Sequence, residues 1–358
     1  MPKLDHGTRP VSHFEFWPLW LMYVPVALQW LALALWHRSL TLPLIANPKL
    51  PVSGMVGIGK HEIMQQATGP CADAILPWIH YVISADEAAA QASDMLQLAA
   101  HRNIGFPFVC KPDIGCRGSG VKLIHDYRQL ENYVAAYPAG AGVLIQKLAS
   151  WEPEAGVFFV RHPEATVGRV VSLALKYSPY VVGDGVSTLD ELISRDPRAG
   201  KVRHLYAQRF QHRLQEVLPD GERLRLVFSI SHCRGAIFRD AANLITPALT
   251  DRINELMAGL PEFHYGRLDI KFPDTYSLVQ GRNIEIVEIN AASSESLHIW
   301  DRSARLPAAV STLLWQYRTL FDLGARNRRR GFRPPSVGEL LRRWRSERAL
   351  TRHHPATD

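Results

Sequence analysis

The chain has 358 residues, of which 47% are apolar and 21% charged. This is long enough for two or three globular domains, and neither a repeat nor a low-complexity run suggests a fibrous or disordered protein. The net charge is +7. Residues 326–352 contain ten arginines and two glutamates and so carry +8, which leaves −1 for the rest of the chain. The four cysteines form no C-x-x-C pair, which argues against a zinc site and predicts a reduced, cytoplasmic environment.

The first distinctive feature is the apolar segment 14–45. No Asp, Glu, Lys or Arg lies within residues 16–37, and the 20 residues from Trp17 to Trp36 would form a helix of about 30 Å, the thickness of a hydrocarbon core. Tryptophans near both ends are typical of membrane interfaces, whereas Pro18 and Pro25 would shorten or kink a span. Three interpretations stay open: a membrane-inserted or interfacial helix, a helix buried in the protein, and a partner interface.

The second feature is a glycine-rich turn after a lysine. Residues 106–111 predict a short buried strand that ends in Lys111, and a turn rich in small residues follows before the next strand. Glycines let backbone N–H groups approach phosphates, and a lysine at a strand end supplies a positive charge. The order of residues matches neither a Walker A loop nor a dinucleotide fingerprint, so a structural glycine hairpin remains the alternative.

Further strands follow. Residues 143–148, 154–161 and 167–176 each predict a strand, and the last ends in Lys176, which would either bind phosphate or be solvated. Residues 224–231 predict another strand, and residues 250–259 predict a helix.

A pair of predicted strands within residues 263–300 carries the largest set of candidate functional side chains. Two alternating segments flank the polar sequence at 280–283, which predicts a β-hairpin. Alternation places Asp269 beside Arg267 on one face, with Glu288 and Asn290 on the matching face of the second strand. Two carboxylates and an amide, without Cys or His, form a set of hard oxygen donors suited to Mg²⁺.

These motifs, in this order, resemble the ATP-grasp superfamily, in particular carboxylate–amine ligases related to D-alanine–D-alanine ligase and cyanophycin synthetase. The resemblance covers residues 106–301 and implies an α+β fold in which two subdomains clasp ATP. Its most specific part is G-R-L-D at 266–269 followed by E-I-N at 288–290. The resemblance implies that Asp269, Glu288 and Asn290 hold two Mg²⁺, with Mn²⁺ as an alternative.

The resemblance also assigns roles around the nucleotide. Lys111 and Lys176 are similar to the two ATP lysines, and Arg267 would face the phosphoryl group during transfer. The loop that closes over the phosphates would be formed by Gly115, Gly118, Ser119 and Gly120. The pair that contacts adenine would be Gln146 and Leu148, and the carboxylate on the ribose hydroxyls would be Glu154.

The implied domains are an apolar segment (1–46), a reduced N-terminal α/β region (47–105), two ATP-grasp subdomains (106–150 and 151–324) and a basic tail (325–358). The implied activity is ATP-dependent ligation of a small-molecule carboxylate and an amine, or less often a thiol, through an acylphosphate. Two alternatives remain: a kinase-like phosphoryl transferase, and a membrane-docked ATP-binding protein without turnover.

Two departures leave the substrate open. The usual N-terminal domain is reduced, and the Pro-Gly turn that holds the acceptor in D-alanine ligases is absent after Asn290. Ser294, Glu295 and His298 could contact substrate or could serve only local loop structure.

The basic tail predicts an amphipathic helix. Ser336 and Glu339 are spaced as a capping box, and arginines surround Leu341 and Trp344. Together, segments 14–45 and 326–352 predict association with the inner, anionic face of a membrane, with a plain solvated tail as the alternative. Nucleic acid is the weaker alternative because no motif that reads bases accompanies the charge. The sequence does not define an oligomeric state.

Overall fold

The computed structural model describes residues 1–4, 11–115 and 118–352, and it confirms the predicted α+β class. The α-helices are α1 (Leu19–His37), α2 (Lys60–Met64), α3 (Gly69–Ala74), α4 (Ala88–Ala100), α5 (Tyr127–Ala135), α6 (Leu189–Arg195), α7 (Arg203–Arg209), α8 (Pro247–Ala258), α9 (Thr275–Val279), α10 (Leu306–Arg329) and α11 (Val337–Thr351). Short 3-10 helices occupy Leu42–Ile45, Pro51–Gly54, Ala199–Val202, His232–Arg234, Ala242–Leu244 and Leu297–Trp300.

The strands are β1 (Trp78–Val82), β2 (Phe108–Pro112), β3 (Lys122–Ile124), β4 (Gly142–Lys147), β5 (Glu154–Val160), β6 (Arg169–Tyr177), β7 (Tyr180–Val182), β8 (Arg223–Arg225), β9 (Ile237–Asp240), β10 (Tyr265–Lys271) and β11 (Glu285–Asn290). They form two antiparallel sheets and a small ribbon. The first sheet has the order β1-β4-β2-β3, the second β11-β10-β5-β6-β9, and β7 pairs with β8.

The first sheet packs against α4 and α5. Asp126 caps α5 by accepting from the backbone N–H of Gln129, so the helix begins where the sequence provides an N-cap residue. Met95 and Leu130 from the two helices are buried against Phe108 and Val143 of the strands. Strand β1 belongs to this sheet although it precedes the predicted boundary at residue 106, and that boundary stays a prediction.

The second sheet is built around β5. Every residue of β5 is buried, because β10 and β6 pair on its two sides and helices cover the sheet. Helix α8 starts at Pro247 behind the N-cap Thr246, and it buries Leu249 and Ile253 against the sheet. This sheet carries β10 and β11, the two strands with the predicted metal ligands.

Two sequence predictions need correction. The pairing of β10 with β11 is found, but the connection holds α9 instead of a tight turn, because Asp274 caps a helical turn at the N–H of Ser277. The strand expected at 224–231 covers only Arg223–Arg225. The Arg225 guanidinium donates to the carbonyls of Val227 and Phe228, at 2.8 and 2.7 Å, which folds the following backbone away from the ladder.

Helix α1 lies along α10. Its inner side buries Met22 and Val26, and Trp30 contacts the rings of Tyr317 and Phe321. Its outer side is apolar and exposed. Among the described residues, the stretch Trp20–His37 is long and apolar enough to cross a membrane, and 17% of it is buried inside the protein.

Upstream of α1 the chain is anchored by a buried ion pair. Glu15 accepts from the Arg198 guanidinium, and both side chains are almost completely buried. Arg198 also donates to the carbonyl of Gly235 at 2.9 Å and to that of Ala236. The pair therefore joins the N-terminal segment to the chain near the β7–β8 ribbon.

The chain passes between the two sheets at residues 75–78 and again at 148–153. At the first crossing, the N–H of Leu76 donates to the carbonyl of Ile286 at 3.1 Å. At the second, the N–H and hydroxyl of Ser150 donate to the Glu285 carboxylate at 2.9 and 2.7 Å. Both crossings are thus tied to neighbouring residues at the start of β11.

Candidate active site

A cavity of about 790 Å³ lies between the two sheets. Its walls include nearly every site residue predicted from the sequence: Lys111, Gly115, Gly118, Ser119, Gln146, Leu148, Glu154, Lys176, Arg267, Asp269, Glu288 and Asn290. Gly120 follows directly in the glycine loop. Residues that lie up to 179 positions apart in the sequence therefore share one cavity. Their individual roles remain predictions.

Lys111, at the end of β2, is buried and held by neutral acceptors. Its Nζ donates to Gln146 Oε1 at 2.7 Å and to the carbonyl of Val287 at 3.1 Å. A β-bulge makes this second contact available: Asp269 pairs with Glu288 but Ile270 pairs with Ile286, so Val287 has no partner across the ladder. Burial lowers the pKa of Lys111 to about 8, although nearby Glu288 acts in the opposite direction.

Asp269 is the centre of a network of charges. It lies opposite Glu288 in the ladder, and Arg267 lies opposite Asn290. Arg267 donates to Asp269 from Nε at 2.7 Å and from Nη2 at 3.2 Å, and Lys176 Nζ is 3.3 Å from Asp269 Oδ2. Burial raises the pKa of Asp269, but the charges of Arg267 and Lys176 outweigh it and hold the pKa at about 2.

Glu154 is the carboxylate that compensates the charges of Lys176 and Lys271. It lies directly across from both Lys176 and Lys271 in the sheet, pairs with Lys176, and is 3.5 Å from Lys271 Nζ. Two residues further along β5, a Cβ at Gly156 would lie 2.7 Å from Leu297 Cδ1 and 3.1 Å from Arg267 Cδ. Gly156 therefore leaves the space that Arg267 needs to reach Asp269.

The glycine loop closes one side of the cavity. Gly118 and Gly120 both have φ of +71°, a left-handed conformation that other residues adopt only with strain. A side chain at Gly118 would also collide with Ser229 of the second subdomain. Glycine is thus required where the loop approaches the opposite wall.

Lys60 also lines the cavity, although the sequence analysis did not name it as a candidate. Its Nζ donates to the carbonyls of Pro112, Asp113 and Gly115 at 3.2, 3.3 and 2.9 Å, and lies 3.8 Å from Glu288 Oε1. It therefore links the start of the glycine loop to a predicted metal ligand. The available signal was a second glycine-rich run ending in lysine, residues 57–60, within a segment that reads as loop.

The donor set fits a hard divalent cation. Asp269 and Glu288 are adjacent carboxylates across one ladder, and Asn290 donates to Asp269 Oδ2 at 3.3 Å. Softer metals prefer His and Cys; among the described residues that line the cavity, His232 is a histidine and none is a cysteine. The three residues could hold Mg²⁺ or Mn²⁺ through oxygen atoms.

Two antiparallel sheets thus face each other across a cavity that holds two lysines, a glycine loop and the acidic residues of β10 and β11. This arrangement and the sequence match below make the chain similar to the ATP-grasp carboxylate–amine ligases, as its motifs predicted. In sequence it is 26% identical over 234 residues to cyanophycin synthetase from Synechocystis sp.. The match covers 58% of this chain and 25% of that protein, so the chain spans about a quarter of the relative's length.

No family model matches the chain. Similar solved structures include a D-alanine–D-alanine ligase from Bacillus anthracis, with 14% identity, a TM-score of 0.41 and coverage of 77% of this chain and 69% of that one. Another is a D-Ala:D-Ser ligase from Enterococcus faecalis, with 10% identity, a TM-score of 0.40 and coverage of 75% and 62%.

Proposed function

We propose that the chain is an ATP-dependent ligase that joins a small-molecule carboxylate to an amine. The observation that carries the proposal is the shared cavity, which gathers two lysines, an arginine and three oxygen-donor residues from four strands of two sheets. These groups suit the binding and transfer of a phosphoryl group, which depends chiefly on positioning and on charge neutralisation.

In the proposed reaction, Lys111, Lys176 and the N–H groups of the glycine loop bind the ATP phosphates. A carboxylate oxygen of the substrate forms a bond to the γ-phosphorus, the bond from that phosphorus to the bridging oxygen breaks, and ADP leaves. Arg267 stabilises the negative charge during this transfer. Mg²⁺ or Mn²⁺, held by Asp269, Glu288 and Asn290, would supply further charge neutralisation.

The second half of the reaction forms the amide. The amine, after losing a proton to solvent water, attacks the acyl carbon of the acylphosphate, and inorganic phosphate leaves as the C–O bond breaks. Closure of the glycine loop against the wall near Ser229 would keep water from hydrolysing the acylphosphate. This step requires an acceptor site beside Arg267.

ADP release tests the proposal. The purified chain, with Mg²⁺ and ATP, is assayed against a panel of carboxylates with and without amines, and we expect ADP release that depends on both. A phosphorylated product without ligation would instead identify a kinase-like transferase. ATP binding in a calorimeter without ADP release for any pair would favour a binding protein without turnover.

We further propose that α1 binds the cytoplasmic surface of an anionic bilayer. An apolar stripe runs along its exposed side and consists of Trp20, Val24, Leu28, Leu31 and Leu35. Its inner side stays packed on α10, so the contacts support a helix that lies on the membrane surface and does not leave the protein to span it. Exposed arginines cluster where α1 and α10 end together: Arg38, Arg328, Arg329 and Arg333.

Vesicle flotation tests the membrane proposal. Changing Leu28 and Leu35, which are 65% and 80% exposed, to Glu should reduce binding to phosphatidylcholine–phosphatidylglycerol vesicles. The loss should be about a hundredfold, since each leucine contributes roughly 1.5 kcal/mol of transfer free energy. Val186→Glu, at an 81% exposed position elsewhere, is the matched control. Equal binding by the double variant and the control would refute the proposal, and concentration-dependent dimerisation lost in the double variant would assign the stripe to a second copy.

A further inference from the structure

We propose that Glu295 forms the binding site for the ammonium group of the amine substrate, an inference that rests on the ligase proposed above. Glu295 lies five residues beyond Asn290 and lines the same cavity, next to Ser293 and Ser294. The sequence left open whether Glu295 contacts substrate or serves only the local loop, because the acceptor turn of D-alanine ligases is absent here.

The Glu295 carboxylate is fixed in place by neutral donors. Trp300 Nε1 donates to Oε1 at 2.8 Å, and the Tyr23 hydroxyl donates to Oε2 at 2.9 Å. Trp300 is buried, and Tyr23 comes from α1, so two separate elements orient one carboxylate. Each carboxylate oxygen accepts more than one hydrogen bond, so both retain capacity for a ligand.

The Glu295 carboxylate differs from those of Asp269 and Glu154 in the groups that it contacts. Asp269 pairs with Arg267 and Lys176, and Glu154 pairs with Lys176 and Lys271. Within the described residues, the side chain of Glu295 is held by its two neutral donors, and Arg267 acts on its charge without a direct ion pair. A fixed and partly desolvated carboxylate with no directly bonded cation favours a cationic ligand.

The position of this carboxylate suits the acceptor. Arg267 donates to the backbone carbonyl of Glu295 from Nη1 at 3.1 Å, while its Nε and Nη2 hold Asp269. One guanidinium therefore bridges the two sites, and an amine at Glu295 would lie beside the group that faces the transferred phosphoryl. Primary amines have pKa values of about 10 and are ammonium ions at neutral pH.

This assignment narrows the substrate class. An ammonium ion would be recognised by Glu295, whereas a thiol would bring no charge to match the carboxylate. The acceptor is therefore an amine that binds in its protonated form and loses a proton to solvent water before attack. Of the two nucleophiles open in the ligase proposal, the geometry points to the amine.

Binding, measured without turnover, tests the inference. The probes are n-butylamine and its uncharged counterpart 1-butanol, added to the full chain with Mg²⁺ and a non-hydrolysable ATP analogue. The shift of the thermal midpoint with probe concentration gives apparent affinities. We expect n-butylamine to bind the wild type, 1-butanol not to bind, and Glu295→Gln to weaken amine binding by about tenfold to a hundredfold.

Two further variants serve as comparisons for Glu295→Gln. Glu131→Gln on α5 makes the same chemical change away from the cavity and should leave amine binding unaltered. Tyr23→Phe removes one donor but keeps the carboxylate charge, so it should weaken binding less than Glu295→Gln. Equal amine binding by the wild type and Glu295→Gln, or no binding of n-butylamine to the wild type, overturns the inference. Absence of ADP release would count against the ligase alone, since this measurement needs no chemistry.

Discussion

Asp269→Asn is expected to reduce ADP release by about 10³-fold, the upper range for loss of one group that stabilises the transferred charge. Both oxygens of Asp269 are engaged, by Arg267 on one and by Arg267, Lys176 and Asn290 on the other. The asparagine keeps the shape but loses the negative charge. It removes a predicted metal ligand and leaves two buried cations with less compensation.

Two measurements separate catalysis from folding. Steady-state ADP release gives the rate, and circular dichroism with a thermal scan shows whether the variant is folded. Asp274→Asn is the matched control, because Asp274 caps α9 outside the cavity and asparagine caps a helix equally well. If the folded Asp269 variant retained a rate within about threefold of the control, Asp269 would have no place in the transfer step.

Glu15→Ala is expected to lower the free energy of unfolding by about 3–5 kcal/mol, since a buried charge that loses its partner is strongly destabilising. The Glu15 side chain is fully buried, and its partner Arg198 is 5% exposed. The substitution would leave the Arg198 guanidinium with only carbonyl acceptors, those of Gly235 and Ala236. Urea denaturation of the full chain measures the loss.

Two controls define the cause. Glu216→Ala removes the partner of Arg213 in an exposed pair and should change stability little, because solvent screens that interaction. A double variant, Glu15→Leu with Arg198→Met, removes both buried charges and should recover most of the lost stability. If Glu15→Ala behaved like Glu216→Ala, the buried pair would contribute nothing to the anchoring of the N-terminal segment.

The sequence predicts the positions of side chains well where the alternation of residues along a strand decides which face they lie on. Asp269 and Glu288 face one cavity because side chains alternate along a strand and antiparallel register sets them opposite each other. Lys111 and Lys176 also line this cavity, as predicted from their position after runs of strand residues, and their roles stay predictions.

Other features depend on contacts between distant segments, which a local pattern does not encode. Lys60 reaches the site only because its segment packs beside Asp113. The strand expected at 224–231 ends at Arg225, because the Arg225 guanidinium donates hydrogen bonds to the carbonyls of Val227 and Phe228. The apolar pattern of α1 was equally consistent with burial and exposure, and only the packing on α10 distinguishes its two sides.

The two chain crossings between the sheets have a mechanical consequence. Residues Leu76 and Ser150 are tied to Ile286 and Glu285, so both covalent links meet the second sheet at one place. Any rotation of one sheet against the other would therefore pivot near the start of β11, and strand β3, at the opposite edge of the first sheet from β1, would move furthest.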